Sequence, residues 1–185
     1  MKKSSFRTTI QTTTLILLVI TVALVLLYWQ THAGWALTCV ISFGTTLYHF
    51  AMRLAVGYGV TLFIKNFDPK SRWFRPRKWE ADLYRRLKVR SWKRHLPTFD
   101  PEKFSTEFYT LPQIVQNMCE AEVVHEIIVV FSFLPLAAVP LAGELPVFLI
   151  TSVCAALLDC VFIIAQRYNR PRLVRIIEKG THSHE

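Results

Sequence analysis

Between Ile10 and Trp29 no residue carries a charged side chain, and Leu15 to Leu27 is almost entirely aliphatic. A helix rises about 1.5 Å per residue, so roughly 20 such residues cross the hydrocarbon core of a bilayer, about 30 Å thick. That run commits the chain to a membrane. Lys2, Lys3 and Arg7 ahead of it would also suit a signal peptide, but the apolar stretch is long for one and no small-x-small cleavage site follows. A second apolar stretch, 35–64, is interrupted by His49 and Arg53; a third, 123–139, contains Pro135; a fourth, 145–165, contains Asp159. The expected architecture is an all-α integral membrane protein, a single membrane domain over 1–185 with four transmembrane helices at about 10–29, 35–64, 123–139 and 145–165. The third is short, and the Pro140 to Glu144 link to the fourth is tight, so that pair is read either as two crossings or as a re-entrant hairpin.

The charges test this layout. The 22 Lys and Arg residues outnumber 13 Asp and Glu, and all but Arg53 fall before the first span, between the second and third, or after the fourth. The links 30–34 and 140–144 hold no Lys or Arg. Alternate loops therefore obey the positive-inside rule, which predicts a multi-pass protein of the cell membrane with both termini cytoplasmic. In that layout 65–122 is a cytoplasmic loop and 166–185 a basic tail. From Lys65 to His95 the loop carries 12 basic and 3 acidic residues among Trp73, Phe74, Trp79, Tyr84 and Trp92. Trp79, Leu83, Leu87 and Trp92 recur at nearly helical spacing, predicting an amphipathic helix in the headgroup layer with its arginines on lipid phosphates. Basic residues among aromatics also suit nucleic acid, but beside four spans they are membrane anchors; the expected partner is membrane lipid, with no nucleic acid.

Ionisable side chains at membrane depth are costly and need a partner or a wet cavity. His49 and Arg53 lie four apart on one face of the second span, and Asp159 lies in the fourth, where Arg53 would neutralise it across the bundle. At the start of the third span stand Glu120, Glu122, His125 and Glu126. A histidine held by a carboxylate can take a proton from a hydroxyl near neutral pH, which makes His125 with Glu122 a candidate base; an interfacial ion network with the loop arginines is the competing reading. No metal site is expected, because the E-x-x-H pattern of di-iron bundles comes in two copies with two further glutamates and is single here. The four cysteines form no C-x-x-C pair, and G-x-S-x-G, Walker A, G-x-G-x-x-G and H-E-x-x-H are all missing from the sequence.

Three stretches carry a resemblance. The run Gln166-Arg167-Tyr168-Asn169-Arg170-Pro171-Arg172-Leu173 resembles the closing motif of the glycosyl-4,4'-diaponeurosporenoate acyltransferase family, small membrane proteins of the bacterial carotenoid pathway. Tyr84 to Lys93 is similar to its lysine-rich segment ending in W-K, and Glu120 to His125 to its acidic stretch with E-x-x-H. The resemblance implies a membrane acyltransferase that moves a fatty acyl group from a thioester donor to a sugar hydroxyl of a lipid-linked glycoside. By position it marks Trp92, Lys93, Glu122, His125, Arg167, Asn169, Arg170 and Arg172. In the expected mechanism Glu122 orients His125 as general base, and Asn169 donates to the developing oxyanion. Trp92, Lys93, Arg167, Arg170 and Arg172, with His49 and Arg53 from the second span, would bind substrate. No bound cofactor is expected; acyl-CoA or acyl carrier protein would bring the acyl group. A non-enzymatic membrane scaffold or accessory subunit, and a small transporter working through the buried charges, are the alternatives.

Overall fold

The computed structural model describes residues 5–64 and 66–182, with side chains through 180; Lys2, Lys3 and Lys65 of the basic count lie outside the described residues. Those residues form helices and turns, with no strand among them. The long helices are α1 (Ser5–Thr31), α2 (Gly34–Phe63), α5 (Leu111–Phe131) and α7 (Leu145–His182); the short ones are α3 (Glu80–Arg86), α4 (Val89–Trp92) and α6 (Val139–Ala142). Four segments among the described residues are long and apolar enough to cross a membrane: Ser5–Thr31, Gly34–Phe63, Leu111–Ala142 and Leu145–Gly180. Their outer faces expose Leu15, Val19, Leu26, Leu62, Val130, Ile150 and Leu157, a set that only lipid solvates favourably.

The helices pair α1 on α2 and α5 on α7, and α2 packs on both α5 and α7. A Cβ added at Gly44 would meet Thr21 Cγ2 at 3.8 Å, the close approach that small residues permit between membrane helices. One end of the bundle carries residues 66–110 together with the long C-terminal half of α7. The other end carries the two short links.

Three sequence expectations change here. The third apolar segment becomes a helix twelve residues before the expected start at 123, because Thr110 and Gln113 form a capping box and Pro112 sits in the first turn, where it needs no hydrogen bond. Its straight part stops at Phe131, short of the expected 139. Pro135 and Pro140 lie in the short turns 134–138 and 139–142 that follow, and the Tyr48 hydroxyl donates to the freed Phe131 carbonyl at 2.8 Å. The amphipathic helix over Trp79 to Trp92 is broken in two, since Lys88 takes the left-handed conformation (φ 50°, ψ 42°) between α3 and α4. And the last helix does not end with the expected span at 165: α7 runs through Pro171, so the basic motif is presented on one continuous helix.

The turn into α7 uses Gly143 at φ 68°, ψ −139°, a region that L residues enter only under strain. No neighbour lies within 4 Å of its missing Cβ. Gly143→Ala therefore costs about 1–3 kcal/mol through the backbone alone, read as a lowered thermal midpoint in detergent; an unchanged midpoint would show that the turn relaxes freely.

Candidate functional site

The acidic cluster at 120–126 does not act as one unit, because successive positions on α5 point in different directions. Glu122 has no exposed surface and turns toward the loop side. Its Oε1 accepts from Arg167 Nη1 at 2.6 Å, and its Oε2 accepts from Arg170 Nη1. Arg167 also reaches Glu80 Oε1, with Nε at 3.0 Å and Nη2 at 2.6 Å, and Tyr84 donates to Glu80 Oε2 at 2.8 Å. Burial, with Glu80 beside it, pushes the Tyr84 phenol above its ordinary range, so it stays a donor. Both arginines further bond loop carbonyls: Arg167 those of Trp73 and Arg75, Arg170 that of Phe74 at 2.7 Å. The Arg170 guanidinium lies 4.7 Å over the Phe74 ring. Two carboxylates and two guanidiniums thus cancel in a buried network that ties the loop to α5 and α7. Glu126 completes that face by accepting from Trp73 Nε1 at 2.8 Å.

His125 turns the other way. Its Nδ1 is 2.7 Å from Asp159 Oδ1, and its ring stacks on Phe162 with centroids 4.8 Å apart and 7° between planes. The expected pairing with Glu122 is therefore replaced by one with Asp159: Glu122 is spent on two arginines on the opposite face, and antiparallel packing of α5 on α7 brings Asp159 to the ring. Asp159 is 1% exposed, and its second oxygen accepts from Arg53 Nη2. Arg53 also donates to the His49 carbonyl at 2.8 Å and the Ala155 carbonyl at 3.1 Å. With Nδ1 engaged by a carboxylate, Nε2 is the nitrogen left to accept a proton.

This group borders a cavity of about 690 Å³ enclosed by α1, α2, α5, α7 and residues 93–104. Ile10, Leu54, Val124, Ile128, Leu158 and Phe162 make its apolar wall; Arg7, Lys93, Lys103 and Arg172 bring positive charge to its loop end. Asn169 and Gln166 also line it. Lys93 Nζ donates to Asn169 Oδ1 and lies 4.7 Å over the Tyr168 ring. Burial, and the neighbouring Arg172 and Arg90, lower the affinity of Lys93 for its proton. The Arg172 guanidinium lies 3.8 Å from the centroid of the same ring and donates to the Tyr168 hydroxyl at 2.6 Å. Lys103 holds Glu120 at 3.0 Å, and Arg7 lies 5.0 Å over Phe99, so the covering loop is tied to α5 and α1.

Of the candidates drawn from the sequence, His125, Asn169, Lys93, Arg172 and Arg53 line this cavity, whereas Glu122, Arg167, Arg170, Trp92 and His49 do not. Trp92 folds its indole N–H back on the Leu87 carbonyl at 2.8 Å. His49 is 4% exposed, and neither ring nitrogen has a hydrogen-bond partner among the described residues. Asn169 lies seven positions beyond Phe162, on which the His125 ring stacks, a backbone rise of about 10 Å along α7. That amide's oxygen is taken by Lys93 at the loop end of the cavity. Gln166 is the cavity amide one turn nearer. Asp159 and Gln166 are the residues the candidate set lacked. Asp159 was visible as a charge in the last span and Gln166 as the first residue of the motif after it; the pairing of Asp159 with His125 was not.

A family model described as glycosyl-4,4'-diaponeurosporenoate acyltransferase matches residues 70–179, more than half of the chain and the part that supplies the loop, α5 and α7. No curated protein and no solved structure matches.

Proposed function

Because the chain belongs to the glycosyl-4,4'-diaponeurosporenoate acyltransferase family, we propose that it transfers a fatty acyl group from a thioester to a sugar hydroxyl of a lipid-linked glycoside, with the loop-bearing end of the bundle and both termini facing the cytoplasm of the cell. The observation that carries this reading is the His125–Asp159 pair on the wall of a cavity that is apolar along its depth and cationic at its loop end.

In the proposed reaction Nε2 of His125 removes the proton of the sugar hydroxyl as the oxygen attacks the thioester carbonyl. The tetrahedral intermediate then expels the thiolate, which recovers that proton from the imidazolium. Asp159 holds the tautomer with hydrogen on Nδ1 and stabilises the transient positive charge. Gln166 is the nearest amide suited to the developing oxyanion. The apolar wall takes the acyl chain, and Lys93 and Arg172, with Asn169 held by Lys93, take the phosphates of coenzyme A or of an acyl carrier protein's prosthetic group. Arg167 and Arg170 contribute by holding the loop that forms the cavity's cover. A scaffold would cancel its buried charges in dry contacts, as Glu122 does; the placement of His125 beside open space favours the enzyme.

Two measurements test this. Lipid mass spectrometry of cells with and without the gene is expected to show loss of an acylated glycolipid and accumulation of its unacylated form; identical profiles would remove the acyl-transfer reading. Arg172→Gln is expected to raise KM for the thioester about tenfold or more, the worth of one charge-assisted contact, with kcat little changed. An unchanged KM would move the donor's head group elsewhere.

A further inference from the structure

The loop end of the cavity has two sides of different chemistry. On the α7 side Lys93 and Arg172 are bonded to neutral partners, the Asn169 oxygen and the Tyr168 hydroxyl, and keep their charge for phosphates. On the side where α1, α2 and α5 meet residues 99–104, the charged residues of the lining are Arg7, Asp100, Lys103 and Glu120, and their charges sum to zero. We propose that this second side is the acceptor's subsite, where Glu120 binds the sugar through its hydroxyls; the proposal rests on the acyl-transfer reading.

The bonding of Glu120 carries it. Its Oε1 accepts from Lys103 Nζ at 3.0 Å and lies 2.7 Å from the Thr61 hydroxyl, whereas Oε2 accepts no hydrogen bond among the described residues. The side chain is 19% exposed and lines the cavity. Lys103 is fixed in turn, since its carbonyl accepts from Asn117 Nδ2 at 2.7 Å. A carboxylate held on a helix by one oxygen has the other left to accept from a ligand hydroxyl, in the stronger kind of hydrogen bond that a charged acceptor makes. Asp100 lines the same side, and its carboxylate has no hydrogen bond or ion pair among the described residues.

Three classes of ligand compete for such a place. A phosphate is repelled by two carboxylates and is better served across the cavity by Lys93 and Arg172. A cation meets the Lys103 ammonium on Glu120, and Arg7, whose guanidinium lies 5.0 Å over the neighbouring Phe99 ring. A neutral polyol finds acceptors for its O–H groups and cationic donors for its oxygens, and it leaves the local charge at zero. The spacing agrees. Glu120 and His125 both line the cavity from α5, five positions apart, a backbone rise of about 7.5 Å and the length scale of a single sugar ring. A ring held at Glu120 by one hydroxyl thus reaches toward His125 with another, and the sugar is bound through hydroxyls other than the one that is acylated.

Binding can be read without turnover. The full-length protein in lipid nanodiscs, free of sugar-based detergent, is titrated with radiolabelled octyl glucoside below its micellar concentration and, separately, with radiolabelled octanol, the same chain without the sugar. Glu120→Gln is expected to raise the Kd for octyl glucoside about tenfold or more, the effect of one hydrogen bond to a charged group, and to leave octanol unaffected. Glu107→Gln, at an exposed acid outside the cavity lining, binds the glucoside as the wild type does. The Glu120–Lys103 pair is partly wet, so the variant keeps its fold, which the thermal midpoint checks. No glucoside binding by the wild type, equal affinity in the wild type and Glu120→Gln, or an equal loss for octanol would overturn the proposal. In turnover the same variant raises KM for the glycoside and not for the thioester, the reverse of Arg172→Gln; a matching rise in both would count against the subsite. The two failures separate: a lipid profile that changes with the gene while glucoside binding ignores Glu120 sinks the subsite alone, and an unchanged lipid profile sinks the acyl-transfer reading.

Discussion

Replacing His125 with Gln lowers kcat for acyl transfer by about 10²–10⁴-fold, the typical worth of a positioned general base. Glutamine fills a similar volume and can still donate a hydrogen bond to Asp159, but it cannot take a proton from a hydroxyl. The ring borders a cavity, so its loss opens no new void in a packed core, and the thermal midpoint in detergent is expected to stay close to that of the wild type. The measurement is thiol release from an acyl thioester together with product glycolipid by mass spectrometry, on purified protein whose fold has been checked. KM for the donor should change little, because the cations proposed to hold its phosphates lie at the loop end of the cavity. A folded His125→Gln protein that turns over at the wild-type rate would leave the His125–Asp159 pair as a structural contact and nothing more.

How far the sequence led depends on the range of the interaction involved. The four spans were legible because crossing a bilayer is a local demand, met by length and hydropathy in each segment alone. The start of α5 was misplaced because hydropathy rises only at Val123, whereas the helix is set by a cap and a proline at 110–112 that polar composition hides. His125 was legible as an ionisable group in a costly place, and the arginine motif through the family resemblance. Their partners were not. Glu122 stands three residues from His125 and invited a local pair, yet Asp159, 34 residues away, fills that role. Helical spacing says which side chains share a face; it does not say which neighbouring helix that face meets. Glu80 shows the same limit: among 12 basic loop residues it read as a minor charge, and the structure buries it to 3% against Arg167 and Tyr84.

That buried network sets the second large effect. Glu122→Gln removes the carboxylate that compensates Arg167 and Arg170, leaving Glu80 to face two guanidiniums, one of them 2% exposed. Breaking a buried ion pair from one side costs about 3–5 kcal/mol, since the remaining charge has neither water nor a partner. The expected result is a marked fall in thermal midpoint, or loss of accumulated protein, with residues 73–86 becoming open to limited proteolysis because the Arg167 and Arg170 contacts to Trp73, Phe74 and Arg75 go with it. Glu120→Gln is the control on the same helix. Its pair with Lys103 is partly wet, with side chains 19% and 27% exposed, and such a pair is worth at most about 1 kcal/mol. Similar midpoints for the two variants would mean that the Glu122 network is not what fastens the loop, and the cover of the cavity would then have to be held by its contacts to α1 and the outer face of α5. A large gap between them, with the Glu122→Gln protein still active when stabilised at low temperature, would separate the acid that builds the site from the histidine that works in it.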